Sequence, residues 1–331
     1  MTLNAPSSGF SELLALRVPE AHRALGGETR ALSSAVARLK DVLERDVVAL
    51  THFNGIKSPP FDPFRIRRFG ACSISFTFVE MAAGAPEGRL SVVPEGFRVE
   101  LSSDLRADRH HTHVRAVAAH EVMHAFFFDT SRLPPRRLGP VSQEPKVFVV
   151  EEDICRHLAR CFLVPQMSLK QQLARLSQGY SPTLAGLWYL CKVFDCSMEV
   201  MAYRLIRDTG SWDAAFYRAE VAGDSARLVF RVKAFGPHFS GVKLPYHATR
   251  SILDAYPALG PLWKPRDGPE LEALEVANGR YLLQYRRDPG TPTMVSVLIS
   301  RASGAGLEQA APALTDPVHY LAADRHLDST H

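Results

Sequence analysis

Apolar residues recur along this chain at two alternating periods, and the switches between them mark its elements. Leu32, Val36, Leu39, Leu43, Val47 and Leu50 return at three- and four-residue steps over a charged opposite face, which predicts an amphipathic helix from Glu28. It stops before Ser58-Pro59-Pro60, and Phe61-Asp62-Pro63-Phe64 reads as a turn with apolar anchors. The period then drops to two. Ile74, Phe76 and Phe78 alternate with polar partners, and Leu90–Val93 and Phe97–Leu101 repeat the pattern around the turn Pro94-Glu95-Gly96. A small, mostly antiparallel sheet is expected there. Helical spacing returns with Val114, Val117, Ala118, Val122, Ala125 and Phe126, with Thr112 or Asp108 as caps. After a Pro/Arg/Gly-rich loop over 131–143, a further helix buries Val150, Ile154, His157, Leu158 and Cys161 and closes at Pro165.

Beyond it, Ser181 caps a helix with Pro182 at its first position, running through Phe194. Asp195-Cys196-Ser197 makes a tight turn into a second helix, Met198–Ile206. The pair is a helix-turn-helix candidate carrying Tyr203, Arg204 and Arg207. Its second helix opens Met198-Glu199-Val200-Met201, without the polar base-reading side chains a recognition helix needs. A packing module or a grip for a protein partner is favoured, and direct DNA binding is permitted but not favoured. From Ser211 the alternation in Arg227–Lys233, Tyr281–Tyr285 and Met294–Ile299, with a helix expected over 247–256, predicts a separate α+β domain. His238, His247 and Trp263 are candidates to line a pocket there, although core or surface roles are commoner for such residues. Residues 1–28 and 304–331 read as loosely held tails.

Composition changes little in this picture and excludes some classes. With 331 residues, 46% hydrophobic and 22% charged, the chain can bury more than one core. A formal charge of +4 permits contact with nucleic acid without arguing for it. No stretch of about 18 apolar residues occurs, so no membrane partner is expected. The first 25 residues lack a charged-then-apolar leader, and the expectation is a cytoplasmic protein. Cys72, Cys155, Cys161, Cys191 and Cys196 are odd in number and form no C-x-x-C pair, which favours free, buried thiols.

The chemistry concentrates in Ala118-Ala119-His120-Glu121-Val122-Met123-His124-Ala125-Phe126. Histidines at i and i+4 lie on one helix face about one turn apart, so both imidazoles can reach one ion. Two imidazoles and a carboxylate suit zinc, and a fourth position left to water makes the site catalytic. Glu121 projects beside that water as a general base for peptide hydrolysis. Surface histidines on an amphipathic helix would give the same string without a metal. Here the apolar spacing through the motif makes the helix core-facing, where an unpaired imidazole is costly.

A third ligand is needed, and Glu151-Glu152-Asp153 offers three carboxylates, which a helix dipole also favours without any metal. Glu151 sits beside Val150 and one turn before Cys155, so it is the leading ligand, with Glu152 as fallback. His157, Arg136, Tyr180 and Tyr189 are unranked candidates to stabilise an oxyanion. Arg136-Arg137 reads as solvated rather than as a clamp on a substrate carboxylate, and His110, His111 and His113 as exposed.

The His-Glu-x-x-His helix followed by an acidic helix ending Phe162-Leu163-Val164-Pro165 resembles the ImmA/IrrE family of bacterial cytosolic metallopeptidases, in particular its radiation-response regulators. Met123 inside the motif, and Cys155-Arg156 after the acidic pair, depart from the family's usual residues without touching its ligands. The resemblance implies His120, His124 and Glu151 as metal ligands, Glu121 as base, and zinc as the ion, with manganese as an alternative. It implies a multidomain α+β protein: a thermolysin-like (zincin) core over 29–170, a helix-turn-helix domain over 171–210 and a GAF-like regulatory domain over 211–303, a class that often binds small molecules. It also implies the substrate, a Cro/XRE-like repressor of DNA-damage-response genes. The competing expectation is a DNA-binding transcriptional regulator whose metal site is structural or vestigial. Glu121 speaks against it, because a structural site needs ligands but no base.

Overall fold

The computed structural model describes residues 8–24, 29–107, 111–139, 145–176, 182–222, 227–236, 239, 247–248, 270–276, 279–288 and 291–301. The expected C-terminal tail, Asp108, His110, Tyr180, His238 and Trp263 lie outside them. The fold is mixed α+β. It divides into two compact units, one made of the residues up to Leu169 with Phe194–Cys196, the other of Lys170–Val193 with the residues from Ser197 onward. Among the described residues no helix is long and apolar enough to cross a membrane.

The first unit opens with α1 (Ser8–Arg17), α2 (Pro19–Ala24) and α3 (Thr29–Phe53). The expectation of a loose tail over 1–28 is corrected here: Phe10, Leu13, Leu14 and Val18 are buried, and α1 packs against α3. Burying four apolar side chains in so short a stretch outweighs its Pro, Ser and Gly content. The predicted stripe on α3 is as expected, with Leu39, Leu43, Val47 and Leu50 all buried. It packs against α5 (Pro145–Leu163), whose Ile154, Leu158 and Phe162 are also buried.

Four strands, β1 (Arg68–Phe69), β2 (Cys72–Val79), β3 (Gly88–Val93) and β4 (Gly96–Ser102), form a sheet in the order β1-β2-β4-β3. The outer pairings are antiparallel, but the central β2–β4 pairing is parallel, with Ser73 opposite Gly96. Gly96 lies at φ +149°, and a Cβ there would sit 2.3 Å from the Ser73 carbonyl oxygen, so only glycine lets these strands begin together. β3 is therefore an edge strand beside α4 (His111–Met123). After α4 the chain forms the small hairpin β5 (Phe128–Asp129) and β6 (Arg136–Arg137).

In the second unit, α7 (Leu184–Phe194) and α8 (Met198–Ala202), the latter continuing as a π-helical turn over Tyr203–Asp208, share one body with a six-stranded antiparallel sheet. Its strands are β7 (Ala214–Ala222), β8 (Arg227–Phe235), β9 (His247–Ala248), β10 (Glu270–Val276), β11 (Gly279–Asp288) and β12 (Thr291–Arg301), in the order β10-β11-β12-β7-β8-β9. The preceding helix α6 (Gln166–Arg175) spans the division between the units. Two expectations change. The boundary drawn at 210/211 falls inside one unit, because buried Gln284 of β11 accepts from the Leu184 N–H at 2.8 Å and donates to the Pro182 carbonyl at 3.0 Å. His247 and Ala248, expected to open a helix, instead pair as a strand with Val229 and Leu228, because ladder bonds to β8 outweigh local propensity.

Arg115 anchors α4. Its guanidinium, 1% exposed, donates to the Phe61 carbonyl at 2.8 Å, to the carbonyls of Phe194 and Asp195, and meets the Asp195 carboxylate at 2.7 Å. Asp195 holds a positive φ of 49°, a cost which this buried pairing offsets. Arg115→Met leaves those carbonyls and the partly exposed Asp195 without their donor. The expected loss is about 2–3 kcal/mol, read as a lower urea midpoint in circular dichroism.

Candidate metal centre

The helix carrying the motif ends three residues before Phe126, the last residue of its apolar pattern. α4 stops at Met123, and His124 opens a 3-10 turn, His124–Phe127, which leads into the β5–β6 hairpin. The imidazoles nevertheless converge, with Nε2 of His120 and Nε2 of His124 facing each other at 3.3 Å. One oxygen of Glu152 lies 3.2 Å from His120 Nε2 and the other 3.4 Å from His124 Nε2. These three residues form a set whose ligand atoms all lie within 4.8 Å of one another. Donors on a tetrahedral zinc stand about 3.3 Å apart, so this nitrogen–nitrogen–oxygen spacing fits the ion.

Glu151, the leading ligand in the sequence reading, lies outside that set, whereas Glu152, the fallback, lies within it. Oε1 of Glu151 lies 3.2 Å from His124 Nδ1, on the far side of the ring from His120, and its Oε2 accepts from Arg137 at 2.5 Å. The apolar stripe of α5 pointed one carboxylate inward and the others to water. Both Glu151 and Glu152 turn inward, because two histidines and an arginine replace the water each gives up. Carboxylate–imidazole contacts behind a ligand fix its tautomer and ring orientation. His120 has no such support: its Nδ1 is buried without a hydrogen-bond partner.

Glu121 stands outside the ligand set, 8% exposed, and accepts a bond from the Leu90 backbone N–H of edge strand β3. Gly88 of the same strand allows this approach. A Cβ there would come within 2.8 Å of Glu121 Cγ and of Val117 Cγ1. Burial raises the Glu121 carboxyl above its ordinary value, with the two histidines pulling the other way. For His124, burial works against the charge, but the Cys155 sulfur at 3.5 Å and the carboxylates of Glu151 and Glu152 outweigh it and raise the imidazole well above its usual value. Burial pushes the Cys155 thiol up, with His124 pulling the other way. Glu151 is lowered despite its burial, by His124 and Arg137, and Glu152 is lowered by hydrogen bonds to His120 and His124.

The other candidates scatter. Arg136 is exposed, whereas Arg137, read as solvated, pairs with Glu151 and lies over the Phe128 ring at 5.6 Å. His157 faces Glu44 and Cys161 rather than the motif, and Tyr189 belongs to the second unit. His113 pairs with Glu87 at 2.9 Å and His111 with Asp195 at 3.2 Å. Sequence reasoning missed Arg137, Cys155 and Gly88. Arg137 is placed by the pairing of Phe128 with Arg137 in a hairpin of two-residue strands, too short to leave a period-two signal. Cys155 had one available cue, its position one turn after Glu151.

No family model matches the chain, and no curated protein matches its sequence. A solved structure of a Mycobacterium tuberculosis transcriptional regulator is similar over 94% of this chain and 86% of that one, with a TM-score of 0.46 and 13% identity. The ImmA/IrrE resemblance therefore rests on the motif and the acidic helix alone.

A cation entering between the imidazoles must displace the proton that the carboxylates favour on His124. Zinc affinity, measured against a chromophoric chelator, is expected to rise about tenfold per pH unit up to the raised His124 value and then level off. The metal-free protein moves the opposite way. The stability His124 contributes is full below the ordinary imidazole value and is lost as pH climbs through the raised one.

Proposed function

We propose that the first unit is a zinc-dependent endopeptidase with a thermolysin-like active site, His120, His124 and Glu152 holding the ion and Glu121 acting as general base. The observation that carries this reading is the separation of roles in the geometry. Three donors converge at zinc spacing, while a fourth acidic residue is held beside them, buried and protonatable, with no ligand duty. A purely structural site has no use for that residue.

Bound zinc, or manganese in its place, supplies Lewis acidity at the scissile carbonyl and makes water easier to deprotonate. Glu121 takes the proton from the attacking water and passes it to the leaving amine, so that peptide and water become carboxylic acid and amine. Its raised pKa brings it nearer the working pH for both halves of that transfer. Glu151 holds the His124 ring in position, and Arg137 holds Glu151. The free edge of β3, whose Leu90 and Gly88 touch Glu121, supports an extended substrate segment laid alongside it by backbone pairing.

From the ImmA/IrrE resemblance we further take the substrate to be a Cro/XRE-like repressor of DNA-damage-response genes, cleaved in the cytoplasm. On the same ground the second unit is read as a GAF-like module that receives a small-molecule signal and governs that cleavage. The competing reading, a DNA-binding regulator, has less support in its own helix. Met198 takes a contact from the Ser296 hydroxyl at 3.5 Å, and Glu199 faces Arg218 at 3.8 Å. The first turn of α8, which would enter a major groove, is engaged with the sheet beneath it.

Glu121→Gln is expected to keep its zinc and lose about 10²–10⁴-fold in the cleavage rate of a purified Cro/XRE-type repressor. Undiminished cleavage by that variant would end the protease reading, and tight operator binding by the wild type would favour the regulator. Metal affinity tests the ligand set separately. Glu151→Gln is expected to weaken zinc binding by about 10–100-fold and Glu152→Gln by more.

A further inference from the structure

A second group of ligand-type side chains lies elsewhere in the first unit. Glu44 of α3 meets His157 and Cys161 of α5, and their donor atoms all lie within 4.8 Å of one another. We propose that these three residues form a second metal site, taking a zinc-class divalent cation between α3 and α5. One atom, His157 Nε2, faces both partners: Cys161 Sγ at 3.4 Å and Glu44 Oε2 at 3.8 Å. The nitrogen–oxygen distance exceeds direct hydrogen-bond reach. Zinc–ligand distances put tetrahedral edges at about 3.4 Å for nitrogen–oxygen and about 3.6 Å for nitrogen–sulfur, so the sulfur stands close to such an edge and the carboxylate oxygen needs a small inward shift to reach one.

The placement supports the same conclusion. His157 and Cys161 are one turn apart on α5, the i, i+4 relation that also lets His120 and His124 converge on α4. Both are buried, at 8% and 1% exposure, where α5 packs against the leucine and valine stripe of α3. A thiolate and a carboxylate balance a divalent ion, and with one neutral imidazole the buried group is uncharged. Thiolate, imidazole and carboxylate together select zinc over magnesium or calcium. Cys161 follows Glu152 by nine residues, about half a turn around the helix, so this site faces away from the first centre. Occupied, it clamps α3 to the helix that presents Glu151 and Glu152.

Metal counting on the full-length protein tests this directly. Zinc-loaded, gel-filtered wild type is expected to hold two equivalents, His120→Ala one, Cys161→Ala one, and the double variant none. With cobalt in place of zinc, the His120→Ala protein should show a thiolate-to-metal absorption in the near ultraviolet. That band should survive Cys155→Ala and vanish in Cys161→Ala. No metal and no thiolate band in His120→Ala, or a count and band unchanged by Cys161→Ala, overturns the proposal, whereas a single equivalent in the wild type that His120→Ala keeps leaves the second site standing and counts against the first. The cobalt spectrum of His120→Ala decides the matter even if Cys161→Ala does not fold. None of these readouts depends on peptidase activity, so the second site stands or falls apart from the proposed reaction.

Discussion

Two imidazole nitrogens 3.3 Å apart cannot both present lone pairs to each other at no cost. A proton on one of them, or a cation between them, relieves that clash, and the residues around the pair favour positive charge there. Glu152 spans both rings, Glu151 backs one of them, and Arg137 neutralises Glu151. The resulting cluster is acidic and nitrogen-rich at its centre and closed by apolar helix packing around it. A proton satisfies it partly. A divalent ion seated among the three donors would satisfy it more fully.

Such a cluster sets what the scaffold must do. α4 and α5 have to meet at a fixed depth, and their contact is flanked by buried Ala118, Ala119 and Val122 on one helix and Ile154, Cys155 and Leu158 on the other. Small residues on α4 let the helices approach, while the sheet closes the other side through Gly88. An edge strand that lacks a side chain at that position brings a backbone amide onto the Glu121 carboxylate. The site therefore draws on backbone as much as on side chains, and the tolerance at Gly88 is narrow.

Much of the first unit was legible in the sequence because its signals are periodic. The stripe on α3, the alternating strands and the i, i+4 histidines each follow from geometry that any such helix or strand repeats. What was not legible depended on polar partners from distant segments. An apolar stripe favours Glu151 as the inward carboxylate, yet the placement of both Glu151 and Glu152 depends on His120, His124 and Arg137, which lie 14–32 residues away in sequence. The burial of α1 went unread because its apolar residues lie among prolines and serines that suggest a tail. The boundary at 210/211 failed for a similar reason. One buried glutamine, Gln284, ties a helix start to a strand some hundred residues later.

Arg115 bears on how the chain comes to be made. α4 carries the histidines near its C-terminal end and this arginine near its start, and the acceptors it needs at Phe194 and Asp195 lie about eighty residues downstream. A ribosome that has released residues only as far as Leu169 has delivered every candidate ligand, Glu121 and the whole four-stranded sheet. It has not delivered the carbonyls and carboxylate that accept from a guanidinium otherwise sealed from water. Phe194–Cys196 completes the set of partners that Arg115 has in the first unit. A fragment cut at the apparent end of the enzyme-like region inherits a buried cation with too few partners. The natural border of this unit is thus discontinuous, and it cannot be read off the chain as a single interval.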